Sequence, residues 1–438
     1  MKFTPEMYTD YQSALAGKYK HKMTIKPELG KLVTFSPAKN KPFHRWFLYK
    51  QGFSPEFVKY CIEDSAISAG STVLDPFSGV GTTPYTAACL SFNAIGIDIL
   101  PFSKFIGEAK LLDDYDCSVI RGELEKITAK PPSKAKGKWP DVKVITTAFD
   151  DMMARRIIAY KEHILNIEHE STRRFFLVCL IGIIDKLGKV KKDGGFLRKI
   201  ETPKSNDIDG LFKQRVESLL EDLEMPQQRL PNSPIDLQFQ RPSPDVSWRM
   251  MTGDVRKMEL SDSSVELIVT SPPYLNKTDY TRVYSLELCL HFVESFEQLR
   301  QLRYDSIRGN VEAKYPDVEA FFPEDLIAAI DELKQRPLTN NRHPEMIKGY
   351  FEDMYLMLKE FFRVLKCGGQ AYIANWNARF SGIMYEVDSI CAEMAEYMGF
   401  EVQEIIIVRL KGSSTQQVRL YGETAVRESV LVIKKKIP

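Results

Sequence analysis

Short apolar runs alternate along this chain with longer stretches of helical spacing, and the alternation changes character twice. From about residue 71, STVLD is a β-prone run, PFSGVG a glycine turn and TTPYTAACLSF a helix. NAIGIDI then forms a second buried strand and PFSKFIGEAKLL another helix. A strand–helix–strand unit of this length implies a right-handed parallel crossover. Residues 113–245 read differently. Helical stretches such as MMARRIIAYKEHILNIE and RRFFLVCLIGIIDKL lie between proline-rich polar segments, KPPSKAKGKWPDVK and PQQRLPNSPIDLQFQRPSP. They predict an inserted, mostly helical domain.

The strand pattern resumes in WRMMTGDV and VELIVTSPPY, and a second irregular insertion follows over 281–345. PEMIKGYFEDMYLMLKEFFRVLKCGGQAYIAN reads as a long amphipathic helix, a glycine stop and a strand, with Gly368 and Gly369 suited to the helix C-terminus. After the helix DSICAEMAEYMGF come two more strands, EVQEIIIVRL and ESVLVIKKK. No crossover helix is visible between them, which predicts an antiparallel pair. No internal repeat is present. The expected fold is α/β, a doubly wound Rossmann-like sheet, mainly parallel with an antiparallel strand near the C-terminus, plus the helical insert. Residues 1–112, 246–280 and 346–438 would build the sheet, and 113–245 and 281–345 the two insertions.

Composition changes this picture little. The chain has 438 residues, 44% hydrophobic and 27% charged, enough for a large core in a soluble globular protein. A formal net charge of +1 means that any polyanion must be met by local patches. Seven scattered cysteines without CxxC spacing argue against a disulfide framework or a zinc site, and for a reducing compartment. MKFTPEMYTDYQ has no apolar signal region and no run reaches membrane-spanning length, so a cytoplasmic location away from any membrane is expected. The six histidines form no ligand cluster, and no metal site is expected.

Candidate chemistry lies where predicted strands end. In Asp75-Pro76-Phe77-Ser78-Gly79-Val80-Gly81-Thr82 the glycines let backbone approach a ligand closely. Pro84 stands where a dinucleotide fingerprint needs its third glycine, and no GxxxxGK[ST] occurs. Asp98 ends the next strand, either as acceptor for a ribose or as the cap of the following helix. Asp254 in TGDV is a third strand-end acid, or a simple turn residue. The fourth strand ends in TSPPY, residues 270–274, a rigid platform offering a hydroxyl, fixed carbonyls and an aromatic face. A nucleoside pocket beside such a platform suits chemistry on a flat, amino-bearing ring.

Two further groups are candidates for nucleic-acid contact. Lys186, Lys189, Lys191, Lys192, Arg198, Lys199 and Lys204 surround a Gly194-Gly195 turn, as phosphate contacts or as a solvated surface. Tyr280, Arg282 and Tyr284 alternate aromatic and basic groups, either lining a base channel or starting a core helix. The nuclease-like pattern Pro316-Asp317…Glu332-Leu333-Lys334 is set aside, because FPEDLIAAIDELKQ has helical spacing.

Here DPFSGVGTT and TSPPY together carry a resemblance. The chain resembles the S-adenosylmethionine-dependent amino-methyltransferases of DNA over about residues 30–111 and 248–438. Its serine form of the catalytic motif is most similar to that of N4-cytosine enzymes. The resemblance implies a methyltransferase sheet, S-adenosyl-L-methionine as cofactor and duplex DNA as substrate, with one base flipped out and methylated on its exocyclic amine. Ser271 and the Pro272 carbonyl would hold the amino group, with Pro273 completing the platform and Tyr274 stacking on the base. Asp75, Pro76, Phe77, Ser78, Gly79, Gly81, Thr82, Asp98 and Asp254 would hold the cofactor. Phe53 and Ser54 would lie at its methionine end, although core packing is the other reading of Phe53. The cofactor motif precedes the catalytic one, unlike the permuted order of many N4-cytosine enzymes. Target recognition is assigned first to 113–245, with Lys189, Lys191, Lys192, Arg198, Lys199, Tyr280 and Arg282 as DNA contacts. A monomer or homodimer is expected, with any cognate restriction endonuclease on a separate chain. N6-adenine or RNA-amine methylation is the alternative.

Overall fold

The computed structural model describes residues 11, 17–225, 241–275, 278–316, 318–412 and 415–437. Most of the proline-rich segment expected before the TGDV strand lies outside them, as does Asp317. The strands are β1 (Met23–Ile25), β2 (Thr72–Asp75), β3 (Asn93–Asp98), β4 (Val190–Asp193), β5 (Phe196–Lys199) and β6 (Trp248–Thr252). They continue with β7 (Val265–Thr270), β8 (Leu365–Trp376), β9 (Ala378–Phe380), β10 (Ile383–Tyr385), β11 (Phe400–Gly412) and β12 (Ala425–Lys435).

Eight of these form one sheet in the order β1-β11-β12-β8-β7-β2-β3-β6. Neighbours run parallel except at β12, which is antiparallel to both β8 and β11. That is the mainly parallel sheet with one reversed strand near the C-terminus. A short helix, Thr415–Tyr421, sits in the β11–β12 connection but does not carry the chain across the sheet. From β2 the chain builds outward through β3 and β6, then returns to the other side of β2 for β7 and β8. The reversal opens a crevice beyond the carboxyl ends of β2 and β7, where sheets of this kind bind ligands.

Alternate residues of each strand feed two cores, as the twofold period of a strand requires. Val73, Leu267, Val269 and Tyr372 pack with Phe57, Val58 and Cys61 of helix α1 (Pro55–Ser65) on one face. Leu74, Ile268 and Ile373 face the other way, onto Phe351, Met354 and Leu358 of the helix His343–Val364. That helix ends at Val364, where Leu365 already pairs with Val265 of β7. Gly368 and Gly369 therefore lie in an irregularity at the start of β8 and not at the helix terminus expected for them. The sheet pairing begins sooner than the glycines suggest.

Between β3 and β6 the helices Cys117–Ala129, Asp151–Leu165, Glu170–Ile181 and Ile208–Glu224 share one apolar cluster. The cluster also takes in Phe102, Ile106 and Ala109 of helix α3 (Pro101–Leu111), which follows α2 (Thr82–Cys89), and Trp46 and Phe47. Buried Asp222 fixes the contact: it accepts from the Phe43 amide at 2.8 Å, Arg45 Nε at 2.9 Å and Trp46 Nε1 at 3.0 Å. The exception to the helical character of this segment is the β4–β5 hairpin around Gly194.

Candidate active site

Four adjacent parallel strands lie in the order β6-β3-β2-β7; β3 and β2 end in Asp98 and Asp75, and Asp254 and Ser271 follow within two residues of the ends of β6 and β7. The row is continuous because registers match: Asp98 pairs with Thr252, Asp75 with Gly96, and Leu74 with Ile268. A cleft of about 1030 Å³, counting its open mouth, runs along it. Asp75, Pro76, Phe77, Ser78, Gly79, Thr82, Asp98, Asp254, Phe53, Ser271, Pro273 and Tyr280 all reach its wall. Ser54, Gly81, Pro272 and Tyr274 do not.

The glycine turn is held from both sides. Asp75 accepts from the Thr270 hydroxyl at 2.6 Å, the Thr83 hydroxyl at 2.7 Å and the Phe77 amide at 3.1 Å. Asp98 accepts from the Gly79 amide and the Leu100 amide, each at 2.9 Å, so it bends the chain ahead of the helix that starts at Pro101 and grips the glycine turn. The helix-cap expectation for Asp98 is therefore corrected, since Leu100 is the N-cap, while a carboxylate with about four acceptor positions has room for a further donor. Burial pushes the Asp75 carboxyl up to about 7 and that of Asp98 up to about 6. Gly79 has φ +49°, and a Cβ there would stand 2.9 Å from the Tyr49 ring. Gly81 has φ +80° at the N-terminus of α2.

Asp254 is committed differently. Arg256 Nε meets both its oxygens, at 2.9 and 3.0 Å. Arg256 continues to the Asp305 carbonyl at 2.6 Å and to Asp353 at 3.2 Å. Fully buried Asp353 also takes the Arg308 amide at 2.7 Å and its guanidinium at 2.8 and 3.1 Å. This chain of charges seats the loop whose residues Asp305, Ser306, Ile307, Gly309 and Asn310 line the far wall. Sequence reasoning missed that loop, and also missed Tyr49, whose ring lies against Tyr284 at 5.0 Å and Tyr280 at 6.1 Å.

At the platform, the Ser271 hydroxyl lies 3.3 Å from the Ala374 carbonyl and 3.5 Å from Tyr274 Oη. The Tyr274 hydroxyl donates to Glu428 Oε1 at 3.0 Å. Its ring stands 6.2 Å from Trp376, tilted by 43°.

The basic candidates divide. Lys191, Arg198 and Lys199 are exposed on the β4–β5 hairpin, and Lys189 is half-buried at its base. Arg198 meets Asp193 at 2.8 Å. Lys192 departs from expectation: it points inward, pairs with fully buried Glu287 and lies over the Tyr284 ring at 4.5 Å. It is therefore withdrawn from the set available to phosphate. Arg282 is exposed and pairs with Glu312. Among the described residues no group of His, Cys, Asp and Glu could hold a metal ion, and no helix is long and apolar enough to cross a membrane.

A glycine turn and strand-end carboxylates beside a Ser-Pro-Pro-Tyr platform, on this sheet topology, define a nucleoside-cofactor methyltransferase. The DNA methylase family model N6_N4_Mtase matches residues 13–105. The type II methyltransferase M.BsoBI of Geobacillus stearothermophilus is 29% identical over 92% of this chain and 88% of its own length. M.AvaI of Nostoc, also a type II methyltransferase, is 29% identical over 97% of this chain and 93% of its own. Among solved structures, a methyltransferase from Methanosarcina mazei gives a TM-score of 0.30 at 8% identity, over 86% of this chain and 98% of its own, too little to add to the topology. These comparisons support the DNA amino-methyltransferase family for this chain, with S-adenosylmethionine as the cofactor. The lining is compatible with that cofactor: Gly79 leaves the space a Cβ would fill, and the Asp98 carboxylate reaches the cleft wall as a hydrogen-bond acceptor.

Proposed function

We propose that this enzyme methylates the exocyclic N4 amine of cytosine in duplex DNA, as the modification enzyme of a restriction–modification system. The observation that carries the reading is Ser271, which lines the same cleft as Asp98 and Asp75 and leads into two rigid prolines. S-adenosylmethionine, when bound, supplies an electrophilic methyl carbon whose bonding pair stays with sulfur as the methyl leaves.

The chain's own residues do the rest. Asp98 accepts the ribose hydroxyls, the turn from Pro76 to Thr82 closes on the cofactor, and Asp254 borders its base. Phe53 lines the wall where the methionine end lies, with Ser54 packed behind it. Ser271 Oγ and the Pro272 carbonyl accept the two amine hydrogens, which draws the nitrogen lone pair out of conjugation with the ring. Pro273 stiffens that geometry and Tyr274 stacks on the extruded base. Such positioning accounts for much of the rate in a direct displacement. Lys189, Lys191, Arg198 and Lys199 meet phosphates, while Tyr280 and Arg282 border the path of the base. Arg282, itself exposed, exchanges its pairings with Asp279 and Glu312 for phosphate. The enzyme acts as a monomer or homodimer, and its cognate endonuclease is a separate chain.

The test is transfer of a labelled methyl group to duplex DNA, followed by digestion to nucleosides and mass identification. N4-methylcytosine is the expected product. N6-methyladenine would keep the platform and overturn the base, and transfer to RNA alone would overturn the substrate.

A further inference from the structure

Methylating a neutral amine leaves one proton too many on its nitrogen, and no residue named so far removes it. The geometry points to Glu428 as the acceptor of that proton, reached from Ser271 through the hydroxyl of Tyr274. The inference rests on the amine-methylation reading above.

Donor counting fixes the direction of the path. An ionised carboxylate only accepts, so the Tyr274 hydroxyl spends its single hydrogen on Glu428 Oε1 at 3.0 Å. Tyr274 Oη is then an acceptor toward Ser271 Oγ at 3.5 Å, and that hydrogen is shared with the Ala374 carbonyl at 3.3 Å. With its hydrogen turned inward, Ser271 Oγ offers lone pairs to the cleft it lines. When the new N–C bond has formed, an N–H proton passes to Ser271 Oγ. The Ser271 proton passes to Tyr274 Oη, and the Tyr274 proton to Glu428. The carboxylate ends as a carboxylic acid, and both hydroxyls are restored.

Glu428 suits the end of such a path. It is 2% exposed, and its second oxygen is held by Arg409 Nε at 2.6 Å. The proton it receives comes from a strong acid, because losing it returns the nitrogen lone pair to the ring. Burial and the Glu428 charge hold the Tyr274 phenol far above its ordinary pKa, so it relays protons without ionising.

The experiment is single-turnover methyl transfer by the full chain, with its pH profile and solvent isotope effect, on Tyr274→Phe, Glu428→Gln and the double variant. Each single variant should lose about 10- to 100-fold, the lower part of the range for proton-transfer catalysis. The double variant should lose no more than either, with cofactor affinity and thermal midpoint near those of the parent for Tyr274→Phe. Arg409→Gln breaks the same ion pair but keeps the carboxylate, and should stay within about threefold. A Tyr274→Phe enzyme at parental rate, or an Arg409→Gln loss matching that of Glu428→Gln, would overturn the relay. A parental isotope effect in Tyr274→Phe would do so as well. In each case a methylated exocyclic amine as product, abolished by Ser271→Ala, leaves the broader reading standing. A product methylated elsewhere removes both.

Discussion

The hydroxyl of Thr270 donates to Asp75 Oδ1 at 2.6 Å, so the strand that ends in the Ser-Pro-Pro-Tyr platform is tied directly to the strand that opens the cofactor turn. Both groups are buried, Asp75 at 2% exposure, so water has little access to replace the bond. Thr270→Val keeps the shape of the side chain and removes the donor. Leaving a buried acceptor short of one partner costs roughly 1–3 kcal/mol. Chemical denaturation should show that loss, and cofactor affinity should fall with it because Phe77 hangs on the same carboxylate. Unchanged values in both would show that the two strands hold register without the bond.

The raised carboxyls make opposite demands on pH. Asp75 at about 7 and Asp98 at about 6 both lie above their unfolded values because of burial. A raised folded pKa means the fold favours the protonated acid. The stability these groups contribute is full below about pH 4 and is lost as pH rises through 6 to 7. If Asp98 accepts the ribose hydroxyls, cofactor binding runs the other way, since that role needs the ionised form. Between pH 5 and 7.5 the unliganded protein should therefore lose stability relative to Asp98→Asn, while its affinity for S-adenosylhomocysteine rises. Calorimetric titration across that range checks both trends. An Asp98→Asn protein whose affinity follows the same pH curve would remove Asp98 from ribose recognition.

Gly79 bears on the same pocket through sterics alone. Its left-handed φ and the Tyr49 ring 2.9 Å from a would-be Cβ leave no room for alanine without moving the ring or the turn. Gly79→Ala should cost about 1–3 kcal/mol of backbone strain and weaken cofactor binding at least tenfold. Tyr49→Ala in the same background, which vacates the ring's space, should recover part of the affinity. No recovery would place the whole cost in φ.

What the sequence made legible was local. Asp75, Asp98, Asp254 and Ser271 each follow an apolar run of strand length, and turn residues mark where the run stops. Because parallel strands begin at one edge and end at the other, four such ends must meet if the strands are neighbours. The loop Asp305–Asn310 left no such mark. Its placement depends on Arg308 reaching Asp353 and on Arg256 reaching the Asp305 carbonyl, pairings between distant segments that no spacing rule encodes. Lys192 is an intermediate case. Twofold alternation on either side of the Gly194 turn puts Lys191 and Lys192 on opposite faces, but the charge run by itself suggested one exposed surface.

The Asp254–Arg256–Asp353–Arg308 chain is testable as a unit. Asp353→Ala strips two buried guanidinium groups of their shared partner, and breaking a buried pair in this way costs about 3–5 kcal/mol. Arg308→Ala should cost less, because Asp353 retains Arg256. The double variant should fall well short of the sum, since both changes break one network. Additive losses in equilibrium unfolding would mean that the residues act separately.

The hairpin places an inward, paired lysine and an exposed one at adjacent positions. Lys192→Ala leaves Glu287 buried with its counter-charge gone, and burial already raises the Glu287 carboxyl pKa even with Lys192 present. The expected result is a stability loss of about 3–5 kcal/mol, partly relieved by adding Glu287→Gln. Lys191→Ala with Lys199→Ala should leave the thermal midpoint unchanged, because both side chains are exposed. If they meet phosphate, that double variant weakens DNA binding and lowers the slope of log affinity against log salt by about 0.9 for each phosphate no longer neutralised. The slope is the decisive quantity, because a variant that merely disturbs the hairpin would shift affinity at every salt concentration alike. A parental slope would take the hairpin off the DNA and turn the search for phosphate-binding groups to Arg282 and the loop beside it.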